Sequence, residues 1–455
     1  MAIATINPTT GETVKNFPVL SDQELEAKLE RSAATFRRYR LTGFAERSEK
    51  MEKAAGLFER EQDRLARLMT LEMGKPLSQA RAEAVKCATA CRYYAAHAEK
   101  LLADEEIRDA EGRCFIRYEP LGPVLAIMPW NFPFWQVVRF AAPTLMAGNV
   151  GLLKHAANVP QCGEALEDLF LRAGFSEGCF QYLAIESESV QRVIEDSRVV
   201  AVTLTGSVAA GSAVASIAGK QIKRTVLELG GSDPFVIMPS APLASTVEQA
   251  VKARVQNNGQ SCIAAKRFIV HADIYDEFEK LFVTAFRKLR IGDPLLPETD
   301  IGPLAQARAV DTLERQVQSA VKAGARILTG GKRGPGPGFF YEPTILADIS
   351  SSNPVYHDEL FGPVAMLFRA HDFNEAMTIA NDTPFGLGAS IWTQDEAEQQ
   401  RGIHELQVGQ VFVNGLVASQ PALPFGGIRQ SGYGRELGVA GIREFVNAKS
   451  VRFPS

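Results

Sequence analysis

Four short segments carry side chains whose types and spacing could do chemistry. Gly259-Gln-Ser-Cys262 lies between a helical pattern and a strand pattern. A cysteine on a glycine-flanked turn reads as an accessible nucleophile that a ligand can approach closely, or as an inert buried thiol. Glu228-Leu-Gly-Gly-Ser232 closes a strand pattern. A carboxylate there can act as a general base once its pKa is raised, or it is a surface acid beside a tight turn. In Pro129-Trp-Asn-Phe-Pro133, two prolines fix the loop, so the Asn131 amide is held in one direction. Such a donor suits an oxyanion, although an asparagine also serves its own turn. Thr205-Gly206-Ser207 with Gly211 leads into a helix from 208. This resembles a phosphate-binding helix N-terminus but lacks the GxGxxG spacing.

The elements that must position these segments follow from hydrophobic periodicity. Two long helical patterns open the chain, at 21–40 and 45–72, the first with Ser21 and Glu24 as a capping box. A third amphipathic helix runs to about 102. From 124 onward, short apolar strands alternate with helices: strands at 124–128, 150–153, 180–183, 199–205 and 224–229, helices at 134–146, 160–173, 187–195 and 208–218. The pattern predicts a doubly wound parallel sheet, with ligands beyond the carboxyl ends of its strands. A second α/β run begins near 233, with strands at 234–238 and 267–270, helices at 243–256 and 274–289, and further units to about 413. Residues 330–338 read as a surface loop and 448–455 as a short terminal strand.

Composition excludes several classes. A net charge of -4 over 455 residues offers no basic excess for nucleic acid or an anionic membrane. The six cysteines form no CxxC pair, which argues against both a zinc site and a disulfide framework and points to the reducing cytoplasm. The N-terminus shows no signal-peptide pattern. The apolar stretch 121–153 is interrupted by Pro123, Pro129, Pro133 and Pro143 and carries Asn131 and Arg139, so it reads as buried strand, loop and helix rather than a membrane span.

In combination the segments are far more specific. The chain resembles the aldehyde dehydrogenase superfamily over essentially its whole length, through 72–76, 129–133, Lys154, 206–211, 228–232, 259–262, Glu359-Leu-Phe-Gly-Pro-Val364, Asn381 with 385–387, and Pro424-Phe-Gly-Gly427. The resemblance implies an α/β fold with a Rossmann-type NAD(P)-binding domain (1–101 and 121–230), an α/β catalytic domain (231–435) and a small β element for oligomerisation (102–120 and 436–455). It implies a homodimer or homotetramer acting on a small aldehyde, without a metal.

By the same resemblance, Cys262 is the nucleophile, Asn131 and the Cys262 backbone N–H hold the oxyanion, and Glu228 activates water. Lys154 approaches the adenosine ribose, Trp130 and Ser207 the pyrophosphate, and Glu359 and Phe361 the nicotinamide riboside. Gly206, Gly211 and Leu229 complete the cofactor set. Relatives that prefer NAD commonly carry a glutamate at the position of Ala157. Its absence here, with Lys154 retained, leads us to expect NADP to be accepted and preferred over NAD. Trp135 and Arg139, four apart on the helix after the Asn131 loop, share a face, and a guanidinium there suits a carboxylate, although a salt-bridged structural arginine fits the same pattern. The short chain, the run PFWQVVR and QNNGQSCIAAKR resemble bacterial succinate-semialdehyde dehydrogenases, in which such an arginine and a serine, here Ser419, bind the substrate carboxylate. Competing readings are an aldehyde dehydrogenase for uncharged aldehydes, a cysteine acyl hydrolase or transferase, and a non-catalytic relative.

Overall fold

The structure, a computed structural model, describes residues 3–109 and 112–454; the expected elements that include residues 1, 2, 110, 111 or 455 extend outside them. The helix Asp22–Tyr39 starts as its sequence specifies, with Ser21 Oγ accepting from Glu24 N and the Glu24 carboxylate accepting from Ser21 N at 2.7 Å. The expected helix 45–72 is two helices, Phe44–Arg60 and Gln62–Met73, separated at Glu61 (φ -104°, ψ 12°). The Glu61 carboxylate is held there by Arg64 at 2.9 Å and by Arg172 at 2.5 Å from another helix, a tertiary contact that periodicity cannot reveal. The helix Leu77–Leu101 buries Ala84, Cys87, Ala88 and Cys91, small side chains that let it pack closely against Phe44–Arg60 and Trp135–Met146.

Five parallel strands form the first sheet in the order Arg224–Glu228, Ala201–Thr205, Pro123–Met128, Val150–His155, Phe180–Tyr182. The chain starts this sheet at Pro123–Met128, builds outward through the next two strands, then returns to the other side of the first strand with Ala201–Thr205. The direction of winding therefore reverses between Pro123–Met128 and Ala201–Thr205, and a crevice opens beyond their carboxyl ends. The Pro129–Pro133 and Gly206–Ser207 segments leave these two strands. A short strand, Gly432–Tyr433, returns from late in the chain and pairs antiparallel with Leu227 and Glu228.

The second sheet has the order Arg326–Thr329, Thr344–Ala347, Val364–Ala370, Arg267–His271, Pro234–Ile237, Gly388–Trp392, Gln410–Val413, parallel except for the first pair. Its interior strands are buried on both faces by two apolar clusters, as a helix-covered sheet requires. Cys262 precedes one of its strands, whereas Asn131 and Ser207 follow strands of the first sheet. The amino edge of one sheet thus meets the carboxyl edge of the other. A third, antiparallel sheet joins Glu105–Asp109, Gly112–Pro120 and Val446–Pro454. Among the described residues no helix is long and apolar enough to cross a membrane.

Candidate active site

The turn that carries Cys262 is the most constrained backbone of the site. The helix expected over 243–256 ends at Val255, and Asn257 (φ 53°), Asn258 (φ 58°) and Gly259 (φ 75°) all adopt left-handed conformations. Asparagine tolerates this region better than other side chains with a Cβ. Each asparagine is also tied down. Asn257 Nδ2 donates to the carbonyls of Asn131 (2.6 Å) and Gln260 (3.0 Å), and Asn258 Nδ2 to those of Gly74 (2.8 Å) and Pro303 (2.9 Å). At 259 only glycine fits, because a Cβ would lie 2.3 Å from the Gly362 carbonyl. Lys266 closes the far side, its Nζ donating to the carbonyls of Ser261 (2.7 Å) and Cys262 (2.6 Å).

The facing loop is equally fixed. His155 sits behind it, with Nδ1 3.2 Å from the Met128 carbonyl at its start and Nε2 2.9 Å from the Pro133 carbonyl at its end. Burial lowers the His155 pKa to about 4, so the ring is neutral. Its Nδ1 accepts from Ala156 N, which leaves Nε2–H to donate to Pro133. Glu83 Oε1 accepts from the backbone N–H groups of Phe134 (3.0 Å) and Trp135 (2.9 Å), fixing the start of the next helix, and its other oxygen pairs with buried Lys75. Asn131 Nδ2 donates to Gln260 O at 3.0 Å, which locks the loop to the cysteine turn. An amide carries two N–H donors, and the second has no partner among the described residues.

Between these loops lies a cleft of about 300 Å³. Its wall brings together Asn131, Trp130, Cys262, Glu359 and Phe361 with Gly206, Ser207 and Leu229, so most of the expected site converges. Trp130 and Phe361 meet edge to face, centroids 5.9 Å apart. Ser207 caps the helix Val208–Lys220, its Oγ accepting from Ala210 N. Gly211 sits one turn in, where a Cβ would lie 2.6 Å from Leu229 Cδ2; its glycine lets the helix lie against the cleft wall. Glu359 folds inward, with Oε1 accepting from Gly231 N at 3.1 Å and lying 3.4 Å from Lys266 Nζ. Gln136, which sequence reasoning passed over, also lines the cleft.

Lys154 and Ala157 are not in this wall. Lys154 is the penultimate residue of the strand Val150–His155, 9% exposed, where burial lowers its pKa against an opposing pull from Glu188. Ala157 borders a neighbouring cavity, its carbonyl accepting from Ala4 N at 3.0 Å.

The acid–base groups sit in dry surroundings. Burial pushes the Cys262 thiol up to about 12, with Arg139 and then Lys266 pulling it down. Glu228 ends its strand 2% exposed, and neither carboxyl oxygen has a hydrogen-bond partner among the described residues. Burial first, and the Glu436 carboxyl second, push Glu228 well above the usual carboxylate range, against Arg139 and Arg435. Its protonated form is therefore favoured more than in an ordinary carboxyl. Arg139 departs from the expectation of a guanidinium facing the substrate. It is 2% exposed, paired with Glu436 and stacked 4.3 Å from the Phe425 ring centroid. The reason is electrostatic: two buried carboxyls next to one another need a cation, and Arg139 is in place to supply it. Trp135 and Ser419 meet behind the cleft wall, with Trp135 Nε1 donating to Ser419 Oγ at 2.8 Å. Sequence reasoning missed Glu436, Lys266, His155 and Asn257. Only Asn257 left a local trace, the Asn-Asn-Gly run that favours left-handed backbone.

Residues 1–451 match the aldehyde dehydrogenase family. The chain is 57% identical over 454 residues to the succinate-semialdehyde dehydrogenase [NADP(+)] 1 of Mycobacterium tuberculosis, covering 99% of each chain, and 57% identical to the NADP(+) enzyme of Mycobacterium leprae over the same shares. Among solved structures, Gox0499, described for cofactor and substrate selection, superposes with a TM-score of 0.98 at 41% identity. The succinic semialdehyde dehydrogenase of Streptococcus pyogenes in complex with NADP+ superposes with 0.98 at 37%; both cover 100% of each chain. With a cysteine turn, an amide donor and a capped helix N-terminus around one crevice, and this match from end to end, the chain belongs to the aldehyde dehydrogenase family, whose members oxidise aldehydes with NAD(P)+.

Proposed function

We propose that this chain oxidises succinate semialdehyde to succinate, using NADP+ in preference to NAD+. The observation that carries the chemistry is the convergence of Cys262, the uncommitted N–H of Asn131 and the Ser207 helix N-terminus on one cleft. The cleft suits a dinucleotide: it lies at the winding reversal of a parallel sheet, the Val208–Lys220 N-terminus offers N–H groups for phosphate, and Trp130 and Phe361 supply aromatic walls. NADP+ bound there, against Trp130, Phe361 and the Ser207 helix N-terminus, would supply a hydride acceptor.

The protein's own groups do the rest. Deprotonated Cys262 Sγ bonds to the aldehyde carbon, and the carbonyl oxygen becomes an alkoxide. Asn131 and the backbone N–H of Cys262, which has no acceptor among the described residues, stabilise it. After hydride loss a thioester remains on Cys262. Glu228, once it has released its proton, takes one from water, and the resulting hydroxide displaces the thiolate. Asn131→Ala should lower kcat about 10²–10³-fold, the usual loss for one oxyanion donor, with little change in NADP+ binding. Steady-state rates beside equilibrium cofactor titration check this; an unchanged kcat removes Asn131 from the oxyanion site.

The substrate reading is supported by the full-length likeness to NADP(+) succinate-semialdehyde dehydrogenases. Rates with succinate semialdehyde, butanal and benzaldehyde, each with both cofactors, test it; a preference for the uncharged aldehydes overturns it. The cofactor reading is supported by Ala157, which puts no carboxylate two residues past the end of the strand Val150–His155, the strand that carries Lys154. Ala157→Glu should lower the ratio of kcat/KM for NADP+ over NAD+ by about tenfold or more. A wild-type preference for NAD+ above about tenfold, 1.4 kcal/mol, overturns the assignment. The third sheet, with free outer strands and exposed Ile107 and Phe453, is suited to joining subunits in a homodimer or homotetramer.

A further inference from the structure

Lys266 is a fully buried ammonium that points at backbone and takes no part in the cleft wall. Its own N–H donates to the Asp233 carbonyl at 3.1 Å, which fixes where the side chain starts. Nζ then has an acceptor for each of its three N–H groups: the carbonyls of Ser261 at 2.7 Å and Cys262 at 2.6 Å, with Glu359 Oε1 further off at 3.4 Å. These partners offset the cost of taking a charge out of water. An apolar side chain would fill the same space without that cost.

The direction of one peptide group gives the charge a use. A trans peptide points its C=O and its N–H to opposite sides, and the described residues contain no cis bond. The unit between Ser261 and Cys262 turns its oxygen to Lys266. Its N–H therefore faces the other way, on the side where Cys262 borders the cleft. The Ser261 oxygen also accepts from Ala264 N at 3.2 Å, so both of its lone pairs are taken. The N–H at the other end has no acceptor among the described residues. A donor on an amide oxygen draws electron density from the nitrogen and makes its N–H a stronger donor in turn. A full positive charge in dry surroundings does this more strongly than a neutral group.

We propose that Lys266 is a positioning residue of the oxyanion site: bonded to the Ser261 carbonyl, it aims and polarises the Cys262 N–H, so that the alkoxide meets a stronger donor than an ordinary backbone amide. This rests on the reading of Cys262 as nucleophile and of its N–H as an oxyanion donor. Lys266 touches neither substrate nor reacting atoms, and its effect passes through one peptide group. The same charge also favours the Cys262 thiolate, so the two effects have to be separated.

Two reagents that meet the same sulfur separate them, with no cofactor present. Iodoacetamide is displaced at a saturated carbon, so its rate follows the thiolate and no oxyanion forms. With p-nitrophenyl acetate the sulfur bonds to the ester carbon and the carbonyl oxygen takes the negative charge. The C–O bond then breaks and p-nitrophenolate leaves with its electron pair. Lys266→Met should slow alkylation through the thiolate and slow acylation by roughly a further tenfold, a fraction of the loss for one whole oxyanion donor. Lys266→Gln, which keeps an N–H for the Ser261 carbonyl but no charge, should lie between. Alkylation confined to Cys262 reports the native fold in each variant. Asn131→Ala, as control, should slow acylation and leave alkylation near wild type. Equal slowing of both reactions in Lys266→Met, while Asn131→Ala slows acylation alone, overturns the role of Lys266 and leaves the oxyanion reading standing. Wild-type acylation that spares Cys262, or acylation of Asn131→Ala at the wild-type rate, overturns the oxyanion reading and the proposal with it.

Discussion

Cys262→Ala should abolish aldehyde oxidation, with turnover falling by at least about four orders of magnitude, while the thermal midpoint and NADP+ affinity stay near wild type. Removing the nucleophile removes the covalent route as a whole, so the loss is not shared out among neighbouring groups. The fold should tolerate the change, because the turn is held by Asn257, Asn258, Gly259 and Lys266 and no described contact requires the sulfur. A companion measurement reads the thiol directly. With the thiol held up near 12, the thiolate fraction of the free enzyme rises about tenfold per pH unit through the neutral and mildly alkaline range. Alkylation of Cys262 by iodoacetamide should climb with that slope from pH 7 to pH 10 without levelling off. Cys87, Cys91, Cys162 and Cys179 are buried and should stay unmodified in the native protein. Oxidation surviving in Cys262→Ala, or an alkylation plateau near neutrality, contradicts the assignment.

What could be read from the sequence, and what could not, divides along a physical line. Alternating apolar strands and helices from 124 onward, and the motif residues directly after strand ends, are local patterns, and they locate the first sheet, two central strands of the second and most of the cleft wall. Asn131, Ser207 and Glu228 were findable because each sits within three residues of a strand's carboxyl end. The groups that tune the site act at long range. Glu436 reaches Arg139 across almost 300 residues of chain. No periodicity encodes such a meeting, so the sequence leaves Arg139 open between a guanidinium facing the substrate and a salt-bridged one, and only the fold pairs it with Glu436. His155 shows the same limit: its neighbours in sequence do not reveal that it spans both ends of the proline-flanked loop. The interruption at Glu61 is held by Arg172 from a separate helix, so the surrounding helical pattern ran straight through it.

Glu228→Gln separates the two halves of the reaction and exposes what the native carboxyl costs. Without a base the thioester still forms, so mixing enzyme, NADP+ and aldehyde should release one equivalent of reduced cofactor per active site. Turnover after that burst should then be about 10²–10⁴-fold slower than wild type, the range for loss of a general base. Stability should move the other way. The Glu228 pKa is raised in the folded protein above its ordinary 4.5, so between that value and the folded pKa the native state binds the extra proton. Stability is then fully present below about pH 4.5 and declines as pH rises through the folded pKa. Glutamine has no proton to lose and nearly the shape of the neutral acid. The thermal midpoints of wild type and Glu228→Gln should therefore nearly coincide in mild acid and diverge with rising pH, the variant becoming the more stable. Glu436 titrates in both proteins, so its contribution largely cancels when the two curves are subtracted. A steady state equal to wild type removes the base role, and parallel stability curves remove the raised pKa. If both effects appear together, the same burial that favours the protonated form of Glu228 is what readies its carboxylate to take a proton from water.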